Sequence, residues 1–160
     1  VRLVGGGRLE CELHRAHRHH AKQLEVRFVV NRRWRKGMYT SVRLGLAEAV
    51  KLRPAAVLVL PVDHPHVRAA TVLDLGLVMA QAIHAARSPR TRAGFCYALV
   101  PRHRGRRGHP IALSAALARA VARDGAAEHL GDAVRRNARL VGYLDVRDAG
   151  VTRNVNRPGD

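Results

Sequence analysis

The chain has 160 residues, the size of one domain, and carries 29 Lys and Arg against 12 Asp and Glu, a formal net charge of +17. Apolar residues make up 47% of it and aromatic ones 4%, so its core is built of Leu, Val and Ala, as suits helices packed on an aliphatic sheet. No stretch approaches the ~20 apolar residues of a membrane span, Val1–Gly7 lacks the charged start of a signal peptide, and Cys11 and Cys96 form neither a disulfide framework nor a zinc pattern, which points to a reducing cytoplasm.

In chain order, Val1–Val4 predicts a short strand ending in Gly5-Gly6-Gly7. Residues 8–24 are polar and rich in His and Arg, and predict a helix of modest quality. Val26–Val30, β-branched and aromatic, predicts a second strand. A loop from Asn31 to Tyr39 follows, and Thr40 or Ser41 caps a helix running to about Lys51. Ala55–Leu60 is a continuous apolar run, the pattern of a strand buried on both faces near a sheet centre. It stops at Pro61-Val62-Asp63-His64-Pro65. Residues 69–86 predict a helix with a broad apolar face. Phe95–Val100 predicts a strand, residues 101–110 a basic Gly-rich loop, and Ile111–Leu113 an extended segment. Helices near 114–122 and 126–137 and a late strand at Leu140–Leu144 lead into a turn-rich tail. Strands alternating with helices predict a parallel or mostly parallel sheet with helices on both faces, a three-layer α/β fold. In such sheets ligands bind beyond the carboxyl ends of the strands, where Asn31–Ser41, Asp63–His66 and Arg102–Pro110 should all lie.

The chemistry concentrates in those polar segments. Asp63 follows an apolar strand and is flanked by Pro61 and Pro65, which stiffen the turn and fix its carboxylate. That placement suits Mg²⁺ on a triphosphate, since Mg²⁺ takes a few carboxylates plus phosphate oxygens and water; the plainer role is a turn former or helix cap. Gly37 permits close backbone approach, and Ser41 at a helix start offers a hydroxyl and free N–H groups to an anion or a base edge. In Gly105-Arg106-Arg107-Gly108-His109-Pro110, the two arginines could hold phosphate and His109 could exchange a proton, although a turn histidine fixed by hydrogen bonds is commoner. In the tail, a side-chain amide of Asn154 or Asn156 could complete a Mg²⁺ shell. His14, His17, His19 and His20 lack acidic or Cys partners at helical spacing beyond Glu10 and Glu12, and fit a solvated face better than a metal site. The positive charge invites a nucleic-acid partner, but Lys occurs only at 22, 36 and 51 and Arg is spread over the chain rather than gathered in a stripe, which argues against it.

Taken together, NRRWRKGMYTS (31–41), PVDHP (61–65), GRRGHP (105–110) and NVNRPGD (154–160) resemble, in this order, the motifs of MobA-like NTP transferases, especially the molybdenum cofactor cytidylyltransferase branch. The resemblance covers about residues 1–160. It implies a Rossmann-like nucleotidyltransferase sheet, truncated at its N-terminus, forming a single domain over 1–160. It implies CTP or GTP as nucleotide, Mg²⁺ as cofactor, a molybdopterin-like acceptor, and a molybdoenzyme or its chaperone as partner. On it, Asp63 is the catalytic metal ligand, with Asn156 in the second metal position and Asn154 the alternative. Gly37, Met38 and Ser41 lie by the nucleobase and ribose, and Gly108, His109 and Pro110 line the acceptor side. The family's first strand and Gly-rich loop have no good counterpart, Gly5-Gly6-Gly7-Arg8 being a poor substitute. The expectation is therefore a nucleotidyltransferase weak or inactive as this chain, the alternative being a degenerate domain that binds nucleotide or a partner without catalysis.

Overall fold

A computed structural model describes residues 2–5, 27–86 and 95–155. Seven strands and four α-helices are described: β1 (Arg2–Gly5), β2 (Arg27–Val30), α1 (Met38–Ala49), β3 (Ala56–Val59), α2 (Ala69–Ala86), β4 (Tyr97–His103), β5 (Arg106–Arg107), β6 (Ile111–Ser114), α3 (Ala115–Arg123), α4 (Leu130–Asn137) and β7 (Leu140–Asp145). The helix predicted over 8–24 and the His14–His20 cluster lie outside the described residues.

Strands β1 and β2 pair in parallel as a small sheet, and the other five strands form the main one. In the main sheet β6 runs antiparallel between β3 and β4, and β7 lies parallel to β4 on the other side. The layers follow the expected α/β sandwich. On one face α1, α3 and α4 bury Leu46, Leu117, Val121 and Val134 against Ala98, Val100 and Leu113 of the sheet. On the other, α2 buries Leu75 and Met79 against Leu99 and Ala112.

Two expectations about this sheet need correction. It is mixed rather than mostly parallel. The cause is a two-residue turn at Arg104 (φ 50°) and Gly105 (φ 77°), which reverses the chain so that β5 pairs back on β4 and β6 returns antiparallel; two successive positive φ values give a hairpin turn whose twist matches the flanking strands. What read as a basic loop over 101–110 is thus half strand. The apolar run 55–60 does form β3, but β3 is bonded to β6 alone among the described strands and sits at the edge of the main sheet, half-buried. An apolar run fixes that a strand is covered, not where it stands in the strand order. α1 packs on both β1 and β3, spanning the two sheets.

By length and composition α2 could cross a membrane, yet Thr71, Leu75 and Met79 on one flank are buried while Leu73 and Leu77 on the other are exposed. Its first turn is clasped by Asp148, which is 5% exposed. One carboxylate oxygen accepts from the Arg68 N–H (2.8 Å) and the Thr71 hydroxyl (2.7 Å), the other from the Gly150 N–H (2.9 Å). Burial alone would raise the Asp148 pKa, but these bonds outweigh it and hold the carboxyl below its ordinary value. Asp124 plays the same part between α3 and α4, accepting from the N–H groups of Ala126 and Ala127 and from the side chains of Asn137 and Arg136.

Candidate functional site at the carboxyl edge of the sheet

Asp63 lies in the turn that leaves β3. Its backbone carbonyl accepts from the Val155 N–H (2.8 Å), and its Oδ2 accepts from the side-chain amide of Asn154 (2.9 Å). The other oxygen, Oδ1, is buried and has no hydrogen-bond partner. The tail comes back to Asp63 through Asn154, the alternative to Asn156, which lies outside the described residues. A carboxylate with one oxygen fixed and the other buried without a hydrogen bond suits a hard divalent cation, whose remaining positions go to phosphate oxygens and water. Among the described residues no group of three His, Cys, Asp or Glu could hold a metal by itself, so the protein's share of such a site is small, as is usual for nucleotide-bound Mg²⁺.

Two histidines stand beside it. His64 is 8% exposed, its Nε2 is 4.0 Å from Asp63 Oδ1, and its ring lies 4.8 Å from that of His109, tilted by 53°. The Nδ1 atoms of both rings are buried without partners. His109 is fixed through its N–H to the Val151 carbonyl (2.8 Å). Gly108 is required beside it: a Cβ there would overlap the Val151 carbonyl oxygen, so the turn can close on residues 149–152 only without a side chain. Burial, then the neighbouring His64, lowers the His109 pKa, against the opposing pull of a Val59 backbone hydrogen bond and Asp63. His109 is therefore neutral at pH 7.

This carries a pH prediction. Unfolding restores His109 to its ordinary value of 6.5, so below about pH 6.5 the unfolded chain takes up a proton that the folded chain resists. Stability is unaffected by this residue above that pH and falls on acidification through the interval down to the lowered folded value. Urea melts at pH 7.5 and 5.5 should show the loss, and His109→Gln should reduce it; equal pH dependence of the two proteins would refute the assignment.

The Asn31–Ser41 segment forms its own cluster. Asn31, 4% exposed, donates through its amide to the hydroxyls of Thr40 (2.9 Å) and Ser41 (2.8 Å) and accepts from the Arg33 N–H. Neither Thr40 nor Ser41 caps the helix: α1 starts at Met38, with Gly37 at its N-cap at φ 104°. Glycine alone adopts that backbone readily, so the helix begins earlier than the hydroxyl residues suggest, and Thr40 turns its hydroxyl back to the Gly37 carbonyl (2.8 Å). Met38 and Trp34 are exposed, with the Arg35 guanidinium 5.4 Å from the centre of the Trp34 ring. None of the hydrogen bonds of Asn31, Thr40 or Ser41 among the described residues reaches Asp63 or His109. Sequence reasoning singled out neither His64 nor Asp148. His64 carries no signal beyond standing next to Asp63, and Asp148 none beyond an acid two residues before a glycine.

The family described as the MobA-like NTP transferase domain matches residues 9–141. The chain belongs to that family. Its nucleoside triphosphate chemistry and divalent-metal use come with that membership, and the matched span takes in the Asn31–Ser41 cluster, Asp63 and the Gly108–Pro110 turn. Asn154 falls beyond the match, so its part rests on geometry. A search of curated proteins finds no match to the chain.

Proposed function

We propose that this MobA-like domain is a Mg²⁺-dependent cytoplasmic nucleotidyltransferase that transfers CMP from CTP to molybdopterin or a related phosphorylated acceptor. The observation that carries it is Asp63, whose carboxylate is steadied by Asn154 through one oxygen and keeps the other buried without a hydrogen bond beyond β3. When bound there, Mg²⁺ would neutralise triphosphate charge and favour departure of pyrophosphate. A phosphate oxygen of the acceptor attacks the α-phosphorus, the bond from that phosphorus to the β-bridging oxygen breaks, and pyrophosphate leaves with the electron pair. The protein's work is positioning and charge compensation. Asp63 and Asn154 would hold the metal; neutral His109, backed by His64, would line the acceptor side with Gly108 and Pro110. Gly37, Met38 and Ser41 face the base and ribose, supported by the exposed Met38 and the Ser41 hydroxyl held by Asn31.

The test is calorimetric titration of the chain with CTP and GTP, with and without Mg²⁺, followed by pyrophosphate release with molybdopterin as acceptor. The expected result is Mg²⁺-dependent CTP binding and pyrophosphate release above the protein-free rate. Binding without release would make this a nucleotide-binding domain, and absence of both would end the reading.

A further inference from the structure

The β4–β5 hairpin leads straight into the candidate site. Its paired end and turn comprise Arg102, His103, Arg104, Gly105, Arg106 and Arg107, and His109 is only two residues beyond Arg107, so their Cα atoms are within about 7 Å of each other. Arg102 and Arg107 are paired across the hairpin, and Arg102 is paired on its other side with Asp145 of β7. Both guanidiniums lie against the Tyr143 ring, at 4.9 Å and 5.2 Å from its centre. Their charges have different fates. Arg102 is neutralised by a two-pronged pair with Asp145, Nε to Oδ1 at 3.0 Å and Nη2 to Oδ2 at 2.7 Å. Arg104, Arg106 and Arg107 are exposed, and among the described residues none has a carboxylate partner. Asp145 is occupied by Arg102, and Asp148 is buried under its own hydrogen bonds.

We propose that this hairpin is an anion subsite that docks the phosphate monoester of the acceptor, with Arg107 as its principal contact. The inference rests on the reading of the chain as a nucleotidyltransferase. A phosphorylated acceptor has to approach a triphosphate, anion toward anion, and that approach needs uncompensated positive charge next to the reacting groups. The hairpin supplies three such charges, Arg104 on its two-residue turn and Arg106 and Arg107 on β5. Arg107 is the preorganised one: stacking on Tyr143 limits its rotamers, so less freedom is lost when its fork closes on phosphate. Asp145 has a defined part, since by occupying Arg102 it keeps an acid from competing for Arg107.

The experiment titrates the ¹⁵N-labelled chain with glycerol 3-phosphate at constant ionic strength and follows the arginine side-chain N–H resonances, assigned with Arg104→Gln, Arg106→Gln and Arg107→Gln. A decathymidylate titration runs in parallel, together with Mg²⁺–CTP binding. The expected result is saturable shifts at Arg107 and at Arg104 or Arg106. Arg107→Gln should weaken binding roughly tenfold, the scale of one charge-assisted hydrogen bond, and Arg107→Lys should recover only part because it lacks the fork. Unsaturable shifts spread over remote arginines such as Arg119 and Arg123, or binding indifferent to Arg107→Gln, would overturn the subsite. So would binding of decathymidylate alone, which would assign the surface to nucleic-acid backbone. Loss of the subsite with Mg²⁺–CTP binding intact leaves the nucleotidyltransferase reading standing; a saturable subsite without Mg²⁺–CTP binding removes that reading and the acceptor assignment with it.

Discussion

Asp63→Asn should sharply weaken metal-dependent nucleotide binding while leaving the fold unchanged. The substitution preserves side-chain shape, and the new amide oxygen can still accept from Asn154, so the contact that ties the tail to the β3 turn survives. What is lost is the negative charge. In the proposed site that single carboxylate would be the larger part of what the chain offers a dication, and its removal should weaken Mg²⁺-dependent CTP binding roughly 100-fold, about 2.7 kcal/mol. Any pyrophosphate release should fall by a factor on the order of 10²–10³, the effect of losing one preorganised electrostatic contact in an active site. Calorimetry with and without Mg²⁺ reads the first, and Mn²⁺ paramagnetic resonance counts the bound ion directly. A variant that binds Mn²⁺ and CTP like the parent would show that the metal sits elsewhere. The melting temperature is the control: at a partly exposed turn position the stability change should stay within about 0.5 kcal/mol.

The largest loss of stability outside the apolar core should come from Asp148→Ala. The carboxylate is buried and accepts three hydrogen bonds, from Arg68, Thr71 and Gly150. Removing it leaves those donors unsatisfied at the start of α2, and a buried network broken from one side costs about 3–5 kcal/mol. Asp148→Asn keeps an acceptor on one side and should cost about half as much. Urea unfolding monitored at Trp34 gives the comparison, provided the slope is unchanged. There is an acid signature too. The folded pKa of Asp148 lies below its ordinary 3.8, so its contribution is fully present above that value and disappears as pH falls through the lower folded value. The Ala variant should lack that acid step. Because Arg68 is five residues from Asp63, CTP binding should weaken in the same variant; unchanged stability would refute the clasp.

Much of this fold was legible in the sequence because local chemistry specified it. The helix over 69–86 has an apolar flank at helical spacing, and it was found with those bounds. The Pro-braced turn placed Asp63 beyond its strand, and the tail motif brought Asn154 to it. What could not be read depends on pairing rather than pattern. The apolar run of β3 says nothing about which neighbour it bonds, so an edge strand passed for a central one. β5 is two arginines with no alternation to betray a strand, and only the turn at Arg104 and Gly105 makes it one. The start of α1 went to Thr40 or Ser41 because hydroxyl residues are the usual caps, whereas the positive φ of Gly37 moved it to Met38. His64 and Asp148 were passed over because burial, which gives each its meaning, is set by segments tens of residues away.

The bond between Asn154 and Asp63 joins residues 91 apart in sequence, and the Asp148 clasp on Arg68 spans 80. Closing loops of that length is entropically costly and slow compared with forming the local helices. The Asp63–Asn154 contact is therefore a late one, formed after the sheet has brought the C-terminal segment back across the β3 edge. A nascent chain that has not yet reached residues 111–154 lacks both β6, the strand to which β3 bonds, and the Asn154 amide that orients Asp63.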